Sequence, residues 1–184
     1  MLALEKKYQL DTSLINDVII GCVMPVNDQG ANIGKIAAQY SGWDVDIPSM
    51  QINRCCGSGL EAVNLAAMKI RSGWEDLIVS GGIECMSRVP IGADGGPMAF
   101  ETKVASRTNY VPQGIGADLI ATIEGFTRRD LDAYALMSQK RASEAIKNKR
   151  FRSLVPIHDQ NDLLLIAEDE HVRPNTSLNQ LSKL

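Results

Sequence analysis

Three short apolar runs, each followed by a stretch with helical spacing, limit what this chain of 184 residues can fold into. Residues 17–24 (DVIIGCVM) are rich in β-branched side chains and predict a buried strand. Asn27-Asp28-Gln29-Gly30 is a turn signal. Ile33, Ile36, Ala37 and Tyr40 then recur at helical spacing, which predicts an amphipathic helix ending near Gly42 with these residues inward. Residues 47–53 read as a second strand. After Gly57, Leu60, Val63, Ala67 and Ile70 predict the inward stripe of a helix that Gly73 stops. Residues 77–80 read as a third strand, closed by Gly81-Gly82. Strands alternating with helices make β-α-β units, so the fold class is α/β, a parallel or mixed sheet covered by helices.

The second half has a different texture. Residues 86–113 hold many Gly and Pro and no period, the mark of a long functional loop. A helix is predicted over 117–124, ended by Gly125. Thr127 and Asp130 spell a capping box that opens a long helix to about Asn148, with Leu131, Tyr134, Ala135, Ala142 and Ala145 on its apolar side. Residues 154–157 and 163–167 read as strands. The opening MLALEKKYQL has helical character and lacks the apolar core of a signal peptide. No apolar run approaches the roughly 18 residues of a membrane span, so no membrane partner is expected. With 19 basic against 22 acidic residues and a net charge of −3, the chain has no basic field for nucleic acid. Four cysteines without framework spacing point to a reducing, cytoplasmic setting.

The chemistry concentrates at residues 51–63, QINRCCGSGLEAV, where a strand gives way to a helix. Alternation along an extended chain predicts that Cys55 and Cys56 diverge to opposite faces. Cys56 stands nearer the helix start, where free backbone N–H groups carry partial positive charge and favour a thiolate. Gly57 and Gly59 clear space around the sulfur. That is the setting of an activated nucleophile, but buried thiols are also common core filler, and spacing alone leaves both readings of Cys56 open. Cys22 and Cys55 read as packing thiols. No C-x-x-C is present, and His158 and His171 are distant in sequence, so no metal site is expected. Ser58 does not form a hydrolase elbow, which would need glycine at position 56.

INRCCGSGLEAV, then Ala67, Ile70 and Gly73 in A-x-x-I-x-x-G, then GGIECMS at residues 81–87 resemble the N-terminal part of a thiolase. The family pattern is N-x-x-C-x-S-G-L followed by G-G-x-E-x-M-S, in this order and at this separation. The resemblance extends to residues 18–43, where Lys35 stands in place of the usual arginine. It continues through YVPQGIGADLIAT, the helix from Phe126, and DEHVRPNTSLNQLSKL at the end, so it covers essentially the whole chain. It implies an N-terminal thiolase-type domain over residues 1–90, lacking its first strand, and a loop domain facing coenzyme A over 91–184, also incomplete.

The resemblance further implies an acyltransferase that cleaves a 3-ketoacyl-CoA with CoA, or runs the reverse condensation, through an acyl group on Cys56. Gly57, Ser58 and Gly59 would support the oxyanion site. Asn53, Glu84, Met86 and Ser87 would brace it. Gln113, Gly114, Ile115 and Gly116 would face the acyl and CoA groups, Gly114-Ile115-Gly116 replacing the His-Met-Gly of many biosynthetic relatives. Coenzyme A would be a co-substrate, with no prosthetic group. The family's strand before the nucleophile pairs across a dimer axis, so a homodimer or larger assembly is expected. A complete member adds a G-H-P histidine and a C-x-G-G-G cysteine, absent here. The chain is therefore expected to be a truncated piece, inactive without the rest. Two other readings stay open: a non-catalytic folding or oligomerisation module, and a condensing enzyme acting on acyl carrier proteins, although its D-T-A-C-S-S type sequence is absent.

Overall fold

A computed structural model describes residues 1–184, and no helix in it is long and apolar enough to cross a membrane. It divides into two compact units, Met1–Val104 and Ala105–Leu184. The first contains α1 (Leu2–Tyr8), β1 (Asp17–Gly21), α2 (Ile33–Tyr40), β2 (Ser49–Ile52), α3 (Ser58–Arg71), β3 (Ile78–Gly82) and α4 (Pro97–Phe100). The strands form one parallel sheet in the order β2-β1-β3, with Val18 opposite Ser49 and Val79. Parallel pairing follows from the helix inserted between successive strands.

As the central strand, β1 is covered on both faces, which explains its unbroken apolar sequence. Val18 packs with Ile15, Ala38, Trp43 and Ile47 on one side; Ile19 packs with Ala62 and Ala66 on the other. At roughly 25 cal/mol per Å2 of apolar surface removed from water, these two clusters are the main stabilisation of the unit. Trp43 also donates from Nε1 to the Glu5 carboxylate at 2.8 Å, which fastens α1. Lys35 binds the carbonyls of Val45 and Ile47 at 2.8 and 2.5 Å and ties down the loop before β2.

The strands and helices lie close to where the sequence predicts them, but their inward faces do not. In α2 the buried residues are Gly34 and Ala38, while Ile36 and Tyr40 are exposed. In α3 they are Ser58, Ala62 and Ala66, while Leu60, Val63, Ala67 and Ile70 point outward. Small residues four apart let each helix lie close on the sheet; at Gly34 a Cβ would be 2.6 Å from Ser49 Oγ. β3 includes Gly81 and Gly82 rather than ending before them.

The first unit runs past residue 90, because Val89 is fully buried and the Gly92 N–H donates to Met24 Sδ at 3.2 Å. Residues 86–113 are also not one irregular loop. Pro97, at the first turn of α4, fits the fixed φ of a helix start, and α5 (Thr102–Thr108) follows it across the division between units.

The second unit contains α6 (Gln113–Glu124), α7 (Arg128–Lys147), β4 (Ile157–His158), β5 (Leu164–Ile166) and α8 (Leu178–Leu181). α6 begins four residues earlier than the pattern predicts, directly after Pro112, and ends at Gly125 with φ 71°. The Thr127–Asp130 capping box is present, and Ser177 and Gln180 form a second one on α8. On α7 the small residues Ala135, Ala142 and Ala145 are half-buried, whereas Leu131 and Tyr134 are exposed. β4 and β5 pair antiparallel and are shorter than the sequence predicts. Pro156 has no N–H to give to a ladder, so β4 starts only after it.

Candidate active site

At the C-terminal ends of β1 and β3 the chain closes around the start of α3. A Cβ on Gly21 would stand 2.3 Å from both the carbon and the oxygen of the Ser58 carbonyl and 2.6 Å from the Gly59 nitrogen. A Cβ on Gly82 would be 3.3 Å from the Gly21 oxygen and 3.4 Å from the Gly59 Cα. Three glycines from three elements thus let the helix start touch the strand ends directly. An open cleft of about 340 Å3 lies there, lined by Gly21, Val23, Cys55, Cys56, Ser58, Gly59, Gly82, Ile83 and Glu84.

The turn carrying the two cysteines is held from both ends. Asn53 donates from Nδ2 to the Val23 carbonyl at 3.0 Å and accepts from the Cys55 N–H at 2.9 Å. Ser58 is buried; its hydroxyl accepts from the Arg54 N–H at 2.9 Å and donates to the Cys55 carbonyl at 2.6 Å. These four bonds hold Cys55 at φ 45°, a left-handed conformation that non-glycine residues seldom adopt. The turn therefore does not continue β2, which ends at Ile52, and strand alternation does not govern it. Cys55 and Cys56 are both exposed and both line the cleft. Cys55 is not core filler. Cys22 is: it is buried, and loss of solvent pushes its thiol up from the usual range.

Gly57 is the N-cap of α3, and no side chain caps that helix. The Gly57 and Ser58 N–H groups donate to the Arg54 and Cys55 carbonyls, both at 3.0 Å, so the N–H groups left to the cleft begin at Gly59. Arg54 pairs with Glu61 across the same turn at 3.1 Å.

Glu84 lines the cleft, and its carboxylate is tied down. Oε2 accepts from the Val23 N–H at 3.0 Å, and Oε1 accepts from the Gln29 side chain at 2.6 Å. Gln29, 2% exposed, is a hub that the sequence reading missed. It also donates to the Met24 carbonyl at 3.0 Å and accepts from the Cys85 N–H at 2.6 Å, while its own carbonyl accepts from Gln51 at 2.7 Å. A glutamine beside the turn glycine Gly30 was the available signal, but its partners lie far away in sequence.

Ser87 reaches only Cys85, at 3.5 Å between Oγ and Sγ, and Met86 is exposed. Neither lines the cleft. Gln113, Gly114, Ile115 and Gly116 form the first turn of α6 in the second unit rather than a loop, and the first three are exposed. His158 and His171 are exposed, as expected of surface histidines. No group of three or more His, Cys, Asp or Glu side chains is placed to hold a metal ion.

Fold and site together define an α/β protein with accessible thiols at a strand-to-helix turn. The family model for the thiolase N-terminal domain matches residues 2–184, and the chain belongs to that family. It is similar to the 3-ketoacyl-CoA thiolase of Shewanella loihica (strain ATCC BAA-1088 / PV-4), 36% identical over 187 residues, covering 98% of this chain and 48% of that protein. The 3-ketoacyl-CoA thiolase of Marinobacter nauticus (strain ATCC 700491 / DSM 11845 / VT8) is 34% identical over 186 residues, covering 98% and 47%. The chain spans about half the length of the curated relatives it matches.

Proposed function

We propose that this chain carries the nucleophile of a thiolase-type acyl-CoA acyltransferase and that Cys56 is the residue acylated. The observation that carries this reading is the placement of Cys56: exposed in a cleft, one residue before the N-cap of an uncapped helix start. The Cys56 thiolate would attack the keto carbon of a 3-ketoacyl-CoA, with the Gly59 N–H as the donor to the oxyanion, since those of Gly57 and Ser58 are spent on the Arg54 and Cys55 carbonyls. Cleavage would release acetyl-CoA and leave the acyl thioester on Cys56, which a second CoA then removes. The reverse sequence is the condensation. Asn53, Ser58 and Glu84 would act by holding the turn and the cleft wall. Gln113 to Gly116 would contact the acyl and pantetheine portions, with the small Gly114 admitting acyl groups longer than acetoacetyl.

The cleft lining contains no histidine and no proton donor beyond its two thiols, Ser58 and Glu84. A general base and a second acid–base group are therefore assigned to residues outside these 184. The same observation favours a second reading, in which the chain by itself is a non-catalytic module. β2 is an edge of the sheet, with Met50 exposed, and its outer side, where only the Ser49 carbonyl is taken up by Asn32, is the proposed surface for a second copy. A cytoplasmic place in fatty-acid β-oxidation goes with the first, acyl-transfer reading.

The test is exposure of the purified chain to a reactive acyl-CoA, followed by peptide mapping. One acyl group on Cys56, lost in Cys56→Ala, is expected. Release of acetyl-CoA from a 3-ketoacyl-CoA is expected only when the remaining half of the enzyme is added. Acylation at Cys55 or Cys85 instead overturns the assignment, and repeated turnover by the chain alone overturns the account of the missing base.

A further inference from the structure

The role proposed for Cys56 leaves its neighbour unexplained. Cys55 is a second exposed thiol on the same cleft, brought there by the left-handed turn that Asn53 and Ser58 hold. We propose that Cys55 is a resolving thiol: it converts peroxide-oxidised Cys56 into a reversible Cys55–Cys56 disulfide before oxidation goes further.

Two features of the structure support a pair rather than two independent thiols. Cys55 and Cys56 are consecutive, both exposed and both in the lining of one open cleft, so a peroxide that enters it has access to the pair. The other cysteines differ: Cys22 is buried and lies outside the cleft lining, and Cys85, only partly exposed, has Ser87 against its sulfur. A thiol that is accessible and adjacent to a second thiol is the arrangement in which sulfenic acid is trapped as a disulfide.

The chemistry balances with hydrogen peroxide as the oxidant. The Cys56 thiolate attacks one peroxide oxygen; an S–O bond forms, the O–O bond breaks, and hydroxide leaves and takes up a proton. Cys56 is now a sulfenic acid, and the peroxide is reduced to water. The Cys55 sulfur then attacks the Cys56 sulfur. An S–S bond forms, the S–O bond breaks, and the departing hydroxide combines with the Cys55 proton as a second water. In sum, two thiols and one peroxide give one disulfide and two waters.

Consecutive Cα atoms across a trans peptide are about 3.8 Å apart, below the usual range of roughly 4.4–6.8 Å for bridged cysteines. The bond would therefore be strained and easily reduced. That property is unhelpful in a structural disulfide. It suits one whose role is to be reopened by a small thiol, returning Cys56 to its reduced state. The proposal requires Cys56 to be reactive toward peroxide but does not require the acyl-transfer chemistry, so the two readings fail separately.

The experiment treats the purified protein with low equivalents of hydrogen peroxide at neutral pH and follows intact mass and peptide maps. The wild type is expected to lose two hydrogen masses, located in the peptide holding both cysteines and restored by dithiothreitol. In Cys55→Ser, sulfinic and sulfonic acid at Cys56 should accumulate about tenfold faster and resist dithiothreitol. Cys55→Ala serves as a second variant; position 55 is exposed, and circular dichroism confirms that both variants keep the fold. Equal rates of irreversible Cys56 oxidation in wild type and both variants would overturn the proposal. So would a disulfide mapped to Cys22, to Cys85 or between two copies.

Discussion

Both compact units combine helices with strands, yet they are held together differently. In Met1–Val104 the central strand is sealed on both faces, and Val18 and Ile19 are both fully buried. In Ala105–Leu184 the one buried residue is Asp132, which accepts from Arg128 at 2.8 Å. Large apolar side chains of that unit, among them Ile123, Leu163 and Leu165, stand in solvent. Its helices are secured by local devices: two capping boxes, an i,i+4 ion pair, and Gly125 as a left-handed C-cap. Caps decide where a helix starts and stops, but each contributes only about 1 kcal/mol. Burial of an apolar face is what makes most helices persist. The first unit has that burial within itself. The second has the punctuation of a fold without a sealed interior of its own.

This contrast is open to a direct test by matched truncations. Ile19→Ala removes side-chain atoms from a site with no solvent access and should cost about 2–5 kcal/mol. Leu165→Ala, at a residue 64% exposed, should stay within about 0.5 kcal/mol. Urea unfolding of both variants gives the comparison. Similar losses would mean that the second unit holds its leucines more tightly than their exposure indicates.

Gly21→Ala probes the feature that makes the first unit a site rather than only a core. The added methyl would meet Ser58 and Gly59 backbone, which cannot swing aside as a side chain does. Overpacking of this kind costs about 1–3 kcal/mol. Relief should come through displacement of the start of α3; in brief iodoacetamide labelling the exposed Cys56 is expected to react ahead of the less exposed Cys85 in wild type and to lose that lead in the variant. Unchanged labelling, with stability lost, would separate the glycine's packing role from the cleft.

Much of the first unit was legible because its signals are local. β-branched runs mark strands, Gly73 marks a helix end, and the N-x-x-C-x-S-G-L pattern marks the turn at Asn53 to Ser58. Helix faces were not legible. Periodicity selects the largest apolar residues, Leu60 and Ile70 on α3 or Ile36 and Tyr40 on α2, whereas close packing on a sheet selects the smallest, Gly34 with Ala38 and Ala62 with Ala66. The exposure of Cys55 on the cleft beside Cys56 was also hidden. It depends on a left-handed residue fixed by bonds from Asn53 and Ser58, and strand alternation is the wrong rule for a turn. Gln29 and Glu84 meet from opposite ends of the first unit, a pairing that one sequence does not carry.

A charge cluster in the first unit gives a third, smaller effect. Lys69 binds Asp17 at 2.5 Å and Glu75 at 2.7 Å, and hydrogen bonds to Asp17, then to Glu75, hold its ammonium above the usual lysine range. Because the folded value is raised, this stabilisation is complete below the ordinary lysine value of 10.5 and is lost as pH rises through the folded value. Lys69→Met leaves Asp17, 5% exposed, facing Glu75 without a cation, and should cost about 2 kcal/mol near neutral pH. Wild type and variant should converge as the pH is raised above the lysine range. A constant gap across that range would assign the loss to packing of the lysine stem.

The smallest effect belongs to the second unit and asks whether its helices depend on their caps. Thr127 Oγ1 accepts from the Asp130 N–H at 3.3 Å, and the Asp130 carboxylate accepts from the Thr127 N–H at 2.8 Å and from its hydroxyl at 2.6 Å. Thr127→Ala removes the hydroxyl and leaves an N–H of the first turn to water. In a helix anchored by a buried face, that loss would be absorbed by packing and would barely alter opening. In α7 the buried anchor is only Asp132, so amides of the first two turns should exchange about fivefold faster. The Asp130 carboxyl is held below its ordinary value by the hydrogen bonds to Thr127, so the wild-type cap is complete above that value and fails as pH falls through the folded one. Wild-type exchange, corrected for its intrinsic pH dependence, should therefore approach that of Thr127→Ala in acid. Exchange in the variant that matches wild type at neutral pH would show that tertiary contacts, not the cap, hold the start of α7, and would remove the contrast between the two units at that point.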